Sequence, residues 1–299
     1  MAEQPGPADG TGATTPSRRL RIVAVAENFG RDLDAGFARI AEILDDARRR
    51  GAGLVVLPEA TLGGYLADLS GAGAAGPVDL PPALRVDGPE IARLAALAGD
   101  LVVVAGFCEA AGDARFNSVV AVHDGRVLGL HRKVHQPLGE NASYDAGDSF
   151  AAFDTPIGRL GLLICYDKAF PEAARALALD GAEVIAVVSA WPAGRTNQAP
   201  DLADDRWTRR FDLFDRARAL ENQVVWASAN QAGTFGSLRF VASAKIVDPG
   251  GDVLATTGCA AGVAVADVDL DATLAGARRA MFHLRDRRPD SYGPALMAS

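Results

Sequence analysis

Short apolar runs alternate along this chain with stretches whose apolar residues recur at helical spacing. That alternation limits the fold to layered α/β architectures. Residues 20–26, 54–57, 101–107, 159–165, 183–189 and 224–229 read as strands. Residues 34–50, with Phe37, Ile40, Ile43 and Leu44 on one face, read as a helix, as do 88–98, 171–179 and 206–222. Residues 116–122 and 126–130 flank Asp124-Gly125, a strong hairpin signal. Three more strands, 240–247, 253–257 and 262–268, are separated by Pro, Gly and Asp turns. Hairpins interleaved with strand–helix pairs predict a mixed sheet system rather than a purely parallel one.

No linker splits the chain. The Gly-, Ala- and Pro-rich stretch 66–82 and the polar stretch 192–205 read as surface loops. Residues 20–270 therefore form one domain, after a disordered leader over 1–19 and before a tail over 271–299. Acids and bases are interspersed and the net charge is -8, so no basic stripe offers itself to nucleic acid. No apolar run approaches the ~20 residues that span a bilayer, so no membrane partner is expected. Three widely spaced cysteines, without a Cys-x-x-Cys pair, argue against a disulfide framework or a zinc site. These features together predict a cytoplasmic protein.

Three runs end in chemically loaded residues. Leu-Leu-Ile-Cys165 ends in a thiol just before a helix-start signal. Strand ends of this kind form the rim where open α/β sheets bind ligands. Leu-Val-Val-Leu-Pro-Glu59 ends in a carboxylate, and Val-Leu-Gly-Leu-His-Arg-Lys133 in an ammonium. A thiol nucleophile needs a base and donors for an oxyanion. Glu59 suits the first task, because desolvation at a buried strand end should raise its pKa. Lys133 suits the second and would also favour a thiolate. Taken singly, each could be a capping or solvated group. His131 and His135 flank Lys133 and read better as structural or solvated groups than as the partner of a Cys–His dyad. Cys108 and Cys259 read as packing or turn residues. Gly71-Ala-Gly-Ala-Ala-Gly76 matches a dinucleotide fingerprint in letters but lacks the strand before it and the helix after it. The pairs Asp45-Asp46 and Asp204-Asp205 lack metal-ligand spacing, so no metal is expected.

Taken together, these strings resemble the nitrilase, or carbon–nitrogen hydrolase, superfamily. The resemblance runs from about Leu20 to about Tyr292. It also includes Phe-Asn117-Ser-Val-Val, Arg218-Ala-Leu-Glu-Asn222-Gln and the Val247-Asp-Pro-Gly-Gly251 turn. It implies a four-layer α-β-β-α sandwich with two mixed sheets, paired into homodimers or larger assemblies. The tail would lie at a dimer interface. It also implies a catalytic triad on Glu59, Lys133 and Cys165, with Glu140 orienting the lysine and the substrate. The backbone N–H of Tyr166 would share the oxyanion with Lys133, and no cofactor is needed.

The branch implied is amidase-like, because Tyr166-Asp167 stands where nitrile-cleaving members carry Trp-Glu. Ammonia would leave a small linear amide through a thioester. N-carbamoyl hydrolysis is the alternative, followed by nitrile cleavage, acyl transfer or a silent assembly subunit. Members acting on N-carbamoyl amino acids place arginines where Lys168 and Ala169 stand, so Lys168 could grip a carboxylate or simply be solvated. Tyr65, Tyr144 and Trp191 are expected to line the pocket.

Overall fold

The computed structural model describes residues 17–69 and 79–292. In chain order the elements begin with β1 (Arg19–Glu27), α1 (Leu33–Arg49), β2 (Leu54–Val56), α2 (Pro89–Ala98), β3 (Val102–Ala111), β4 (Ala114–His123), β5 (Arg126–Arg132), β6 (Phe153–Thr155) and β7 (Gly158–Ile164). There follow α3 (Pro171–Leu179), β8 (Val184–Ser189), α4 (Arg206–Asn222), β9 (Val225–Gln231), β10 (Thr234–Phe235), β11 (Leu238–Arg239), β12 (Lys245–Val247), β13 (Val253–Thr256), β14 (Gly262–Asp269) and α5 (Leu270–Ala280). Local chemistry sets the helix starts. Asp32, Asp205 and Asp269 cap α1, α4 and α5 through their side chains, and Pro89 and Pro171 open α2 and α3. Asp124 and Gly125 both take positive φ, as the two-residue turn between β4 and β5 demands.

Hydrogen bonds join twelve strands into one large mixed sheet, with β5-β4-β3-β2-β1-β9-β8-β7-β6 as its main path. This corrects the expectation of two separate sheets. The splice is short: β1 and β9 pair only at Ala26–Asn230 and Glu27–Gln231. Over the rest of its length β1 pairs with β14, and β9 pairs with β12. The two halves are thus joined at one corner and splay apart from it.

Alternating side chains explain the packing. Ile22, Ala24, Leu54, Val56, Val102 and Val104 from one half share a core with Leu162, Ile164, Ala186, Val188, Ala227 and Ala229 from the other. On the opposite faces, Val23, Val55 and Val103 pack on α1 and α2, while Leu163, Ile185 and Trp226 pack on α3 and α4. Strands buried on both faces read as the continuous apolar runs seen in the sequence.

Some boundaries differ from expectation. β1 begins at Arg19, and Ser17 and Arg18 already hydrogen-bond Asp269 and Asp271, so the last residues assigned to a leader are part of the fold. The strand expected over 240–247 is confined to Lys245–Val247, because Ala242 and Ser243 take positive φ and turn the chain. The short β6, β10 and β11 carry too few residues to announce themselves. The Gly71–Gly76 string lies outside the described residues. Among the described residues, no helix is long and apolar enough to cross a membrane.

Candidate active site

Several strand ends converge at one point. Glu59 follows β2 by three residues, Lys133 follows β5 directly, and Cys165 follows β7 directly. Glu140 opens a short 3-10 turn after Leu138 and Gly139, both at positive φ. Glu59, Lys133 and Glu140 are fully buried. The Lys133 ammonium lies 2.9 Å from Glu59 Oε1 and 2.7 Å from Glu140 Oε2. Asn117 on β4 donates one side-chain amide to both carboxylates, at 2.6 Å to Glu59 Oε1 and 2.7 Å to Glu140 Oε1. Glu59 Oε2 accepts the backbone N–H of Ala190 at 2.5 Å, and Tyr65 donates its hydroxyl to Glu140 Oε1 at 3.1 Å.

The backbone is shaped for this closeness. Gly106 on β3 faces the Glu59–Ala60 backbone, where a Cβ would come within 2.5 Å of the Ala60 nitrogen and 2.7 Å of the Glu59 Cα. Cys165 has a φ of 48°, unusual for a non-glycine residue, and opens a 3-10 turn, Cys165–Ala169. The surrounding bonds of Asp167 and Arg218 hold this strained turn, which places the thiol at the corner between β7 and α3.

Burial is the largest electrostatic influence on Lys133, Glu140 and Cys165. It would lower the Lys133 ammonium, but Glu140 and Glu59 outweigh it and hold that pKa well above the ordinary lysine value. Burial raises Glu140 against the pull of Lys133. Burial, then the charge of Glu59, pushes the Cys165 thiol well above its ordinary value, with Lys133 and the Ala190 N–H acting the other way. The resting sulfur is therefore a neutral thiol that needs a base.

A cavity of about 390 Å³ opens over Cys165, small for a ligand site and suited to a small acyl group. Tyr65, Tyr166 and Trp191 line it, whereas Glu59, Lys133 and Glu140 are not among its lining residues. Arg195, from the polar loop before α4, also lines it, as do Gln136, Leu138, Arg206 and Trp207, which went unread in the sequence because the fold brings loops and the start of α4 there from distant positions.

Two expected pocket residues are elsewhere. Tyr144 packs in an apolar cluster with Tyr65 and Phe240 and is not in the lining. Lys168 is fully buried and donates to Asp215 Oδ1 at 2.8 Å, so it is neither solvated nor open to a substrate carboxylate. Both histidines face Asp167: His131 Nε2 lies 3.0 Å from its Oδ2, and His135 Nδ1 lies 2.9 Å from its Oδ1. Burial would raise Asp167, yet those two partners hold it well below the ordinary carboxylate range. The histidines thus fasten the turn carrying Cys165. Among the described residues, no cluster of His, Cys, Asp or Glu could hold a metal ion.

Residues 19–278 match the family model described as carbon-nitrogen hydrolase. The chain belongs to the carbon–nitrogen hydrolase family. Its curated relatives include an N-carbamoylputrescine amidase of Arabidopsis thaliana, 30% identical, with 93% of this chain and 96% of the relative covered. Among solved structures, a carbon-nitrogen hydrolase from Helicobacter pylori G27 superposes with a TM-score of 0.79 at 25% identity, covering 94% of this chain and 99% of the other. An amidase variant from Nesterenkonia sp. AN1 matches with a TM-score of 0.73 at 25% identity, covering 94% and 98%. Its active-site cysteine carries the acetamide moiety of fluoroacetamide. This hydrolase is accordingly an enzyme of a family whose members use an active-site cysteine.

Proposed function

We propose that this carbon–nitrogen hydrolase is an amidase that releases ammonia from a small linear amide, with Cys165 as nucleophile, Glu59 as base and Lys133 as oxyanion donor. The observation that carries the reading is the buried Glu59–Lys133–Glu140 cluster, tied by Asn117, behind a small cavity that Cys165 lines. Glu59 takes the thiol proton as the sulfur attacks the carbonyl carbon. The carbonyl electron pair moves to oxygen, where Lys133 and the Tyr166 N–H hold it. Glu59 returns the proton to the departing nitrogen, and ammonia leaves a thioester. Water then gives a proton to Glu59 and attacks the same carbon. The sulfur departs, regains the proton, and a carboxylic acid is released. Glu140 holds the ammonium in place.

A second reading, hydrolysis of N-carbamoyl compounds, is favoured by the likeness to the Arabidopsis thaliana N-carbamoylputrescine amidase. The test is ammonia release from amides, N-carbamoyl compounds and nitriles, with intact-mass detection of an acyl-enzyme and Cys165→Ala as control. Amides alone should react, and the variant should be inert. Carbon dioxide alongside ammonia would favour the second reading. No turnover and no adduct with any class would overturn both.

The same reading takes the packing as four layers, α-β-β-α, and the protein as a homodimer. Exposed Leu213 and Leu220 on α4, with Met281 and Phe282 after α5, supply an apolar face. His283 Nδ1 lies 3.3 Å from the Leu220 carbonyl, which brings the two segments to one side.

A further inference from the structure

Behind the cavity lies a charged cluster that the proposed chemistry does not use. Lys168 Nζ donates to Asp215 Oδ1 at 2.8 Å, and Lys245 Nζ to Asp215 Oδ2 at 3.0 Å. All three side chains are buried, so two ammonium groups share one fully buried carboxylate. Asp212, half-exposed at the edge, lies 2.9 Å from Lys245. Such an arrangement is costly to desolvate and is weak evidence for stability alone.

Its position points to the nucleophile. Lys168 belongs to the turn that Cys165 opens. Arg218 on α4 donates to the carbonyls of Lys168 and Ala169, at 2.9 and 3.0 Å. The turn is thus held to α4 by two backbone bonds and one ion pair. The Lys168 ammonium also sits 3.0 Å from the Phe211 ring centre and 5.4 Å from that of Trp191, the cavity wall beside Cys165.

We infer that Lys168 is a positioning residue of the reaction: its ammonium, through Asp215, ties the Cys165 turn to α4 and braces the Trp191 wall. The inference rests on the reading of Cys165 as nucleophile. The charged and titratable groups around Lys168 are Asp215 and Arg218 from α4, Lys245 from β12 with Asp212 on its far side, and the Cys165 thiol from its own turn; Asp167 is taken up by His131 and His135. Burial lowers the Lys168 ammonium to about 8 against the pull of Asp215, and the like charge of Lys245 lowers it further. The brace is therefore present at neutral pH and is lost as pH rises through about 8.

All three tryptophans report on this cluster. Trp226 donates to Asp215 at 2.8 Å, Trp191 stands over Lys168, and Trp207 packs on Trp191 at 5.7 Å between ring centres. The test is tryptophan emission titrated from about pH 6.5 to about 9.5. Beside it run kcat/KM for the best amide and the rate of Cys165 alkylation by iodoacetamide, read by intact mass.

An emission step near pH 8 should coincide with a fall in kcat/KM and a break in the alkylation profile. Lys168→Met should remove the step and lower kcat/KM at neutral pH at least about tenfold. Lys245→Met, which removes the repelling charge, should move step and break to higher pH, and it keeps the test alive if Lys168→Met does not fold. No step, a step that survives Lys168→Met, or alkylation indifferent to the step would overturn the inference. Absence of amide turnover with the alkylation break intact would overturn the amidase reading and leave this one standing.

Discussion

Glu59 acts on Cys165 in two opposed ways. As the proposed base it would accept the thiol proton; as a fixed negative charge it makes the thiolate harder to form. Glu59→Gln separates the two effects. Removing the charge lowers the thiol pKa, so iodoacetamide alkylation of Cys165 should begin at lower pH than in the unaltered enzyme. Turnover should nevertheless fall by about 10²–10⁴-fold, because the proton has no acceptor. Alkylation that moves to higher pH, or turnover that survives, would count against Glu59 as the base. Asn117 is the residue that lets two carboxylates share one lysine. Its amide contacts both, at 2.6 and 2.7 Å, where repulsion would otherwise part them.

The elements act as a mounting for these groups. Parallel β2, β7 and β8 end on the same side, which places Glu59, Cys165 and the Ala190 N–H together. The Glu59–Ala60 segment after β2 can approach β3 this closely only because Gly106 lacks a side chain. In Gly106→Ala the new methyl would meet backbone rather than a yielding side chain. We expect a destabilisation of about 1–3 kcal/mol in urea unfolding. We also expect a fall in kcat of about 100-fold from the displaced Glu59. A variant with unchanged kcat would show that the strand spacing does not set the position of Glu59. The turn after β7 is fastened on two sides, by His131 and His135 through Asp167 and by α4 through Lys168 and Arg218.

At the scale of the whole molecule, α5 is part of its own chain's fold. Leu270 and Leu274 are buried, and the Gln223 side chain donates to the carbonyls of Ala277 and Met281. Deleting the tail would uncover that core, so a point substitution tests the dimer better. Leu213 on α4 is 65% exposed, the largest such value among the exposed large hydrophobic side chains of the described residues. The unaltered protein should sediment at twice the 31.0 kDa chain mass, and Leu213→Glu at the single mass with its amide turnover measurable. A dimer unaffected by Leu213→Glu would place the interface elsewhere, and a monomer throughout would remove it.

The alternation of apolar runs and helical faces by itself determined a mixed α/β fold, because burial on two sheet faces demands it. It also marked Glu59, Lys133 and Cys165, since a charged or nucleophilic residue closing an apolar run stands at a strand end. Tertiary structure alone decided what such ends meet. Lys168 reads in the sequence as a cation for a substrate carboxylate or a solvated helix-start residue, yet its partners Asp215 and Lys245 lie far along the chain. No local pattern announces a long-range ion pair. Tyr144 and Trp191 look alike in sequence, and only the path of the loops put one in a packed cluster and the other on the cavity wall. The joining of the two half-sheets depends on two residue pairs at a corner, a matter of strand twist and register that composition does not encode.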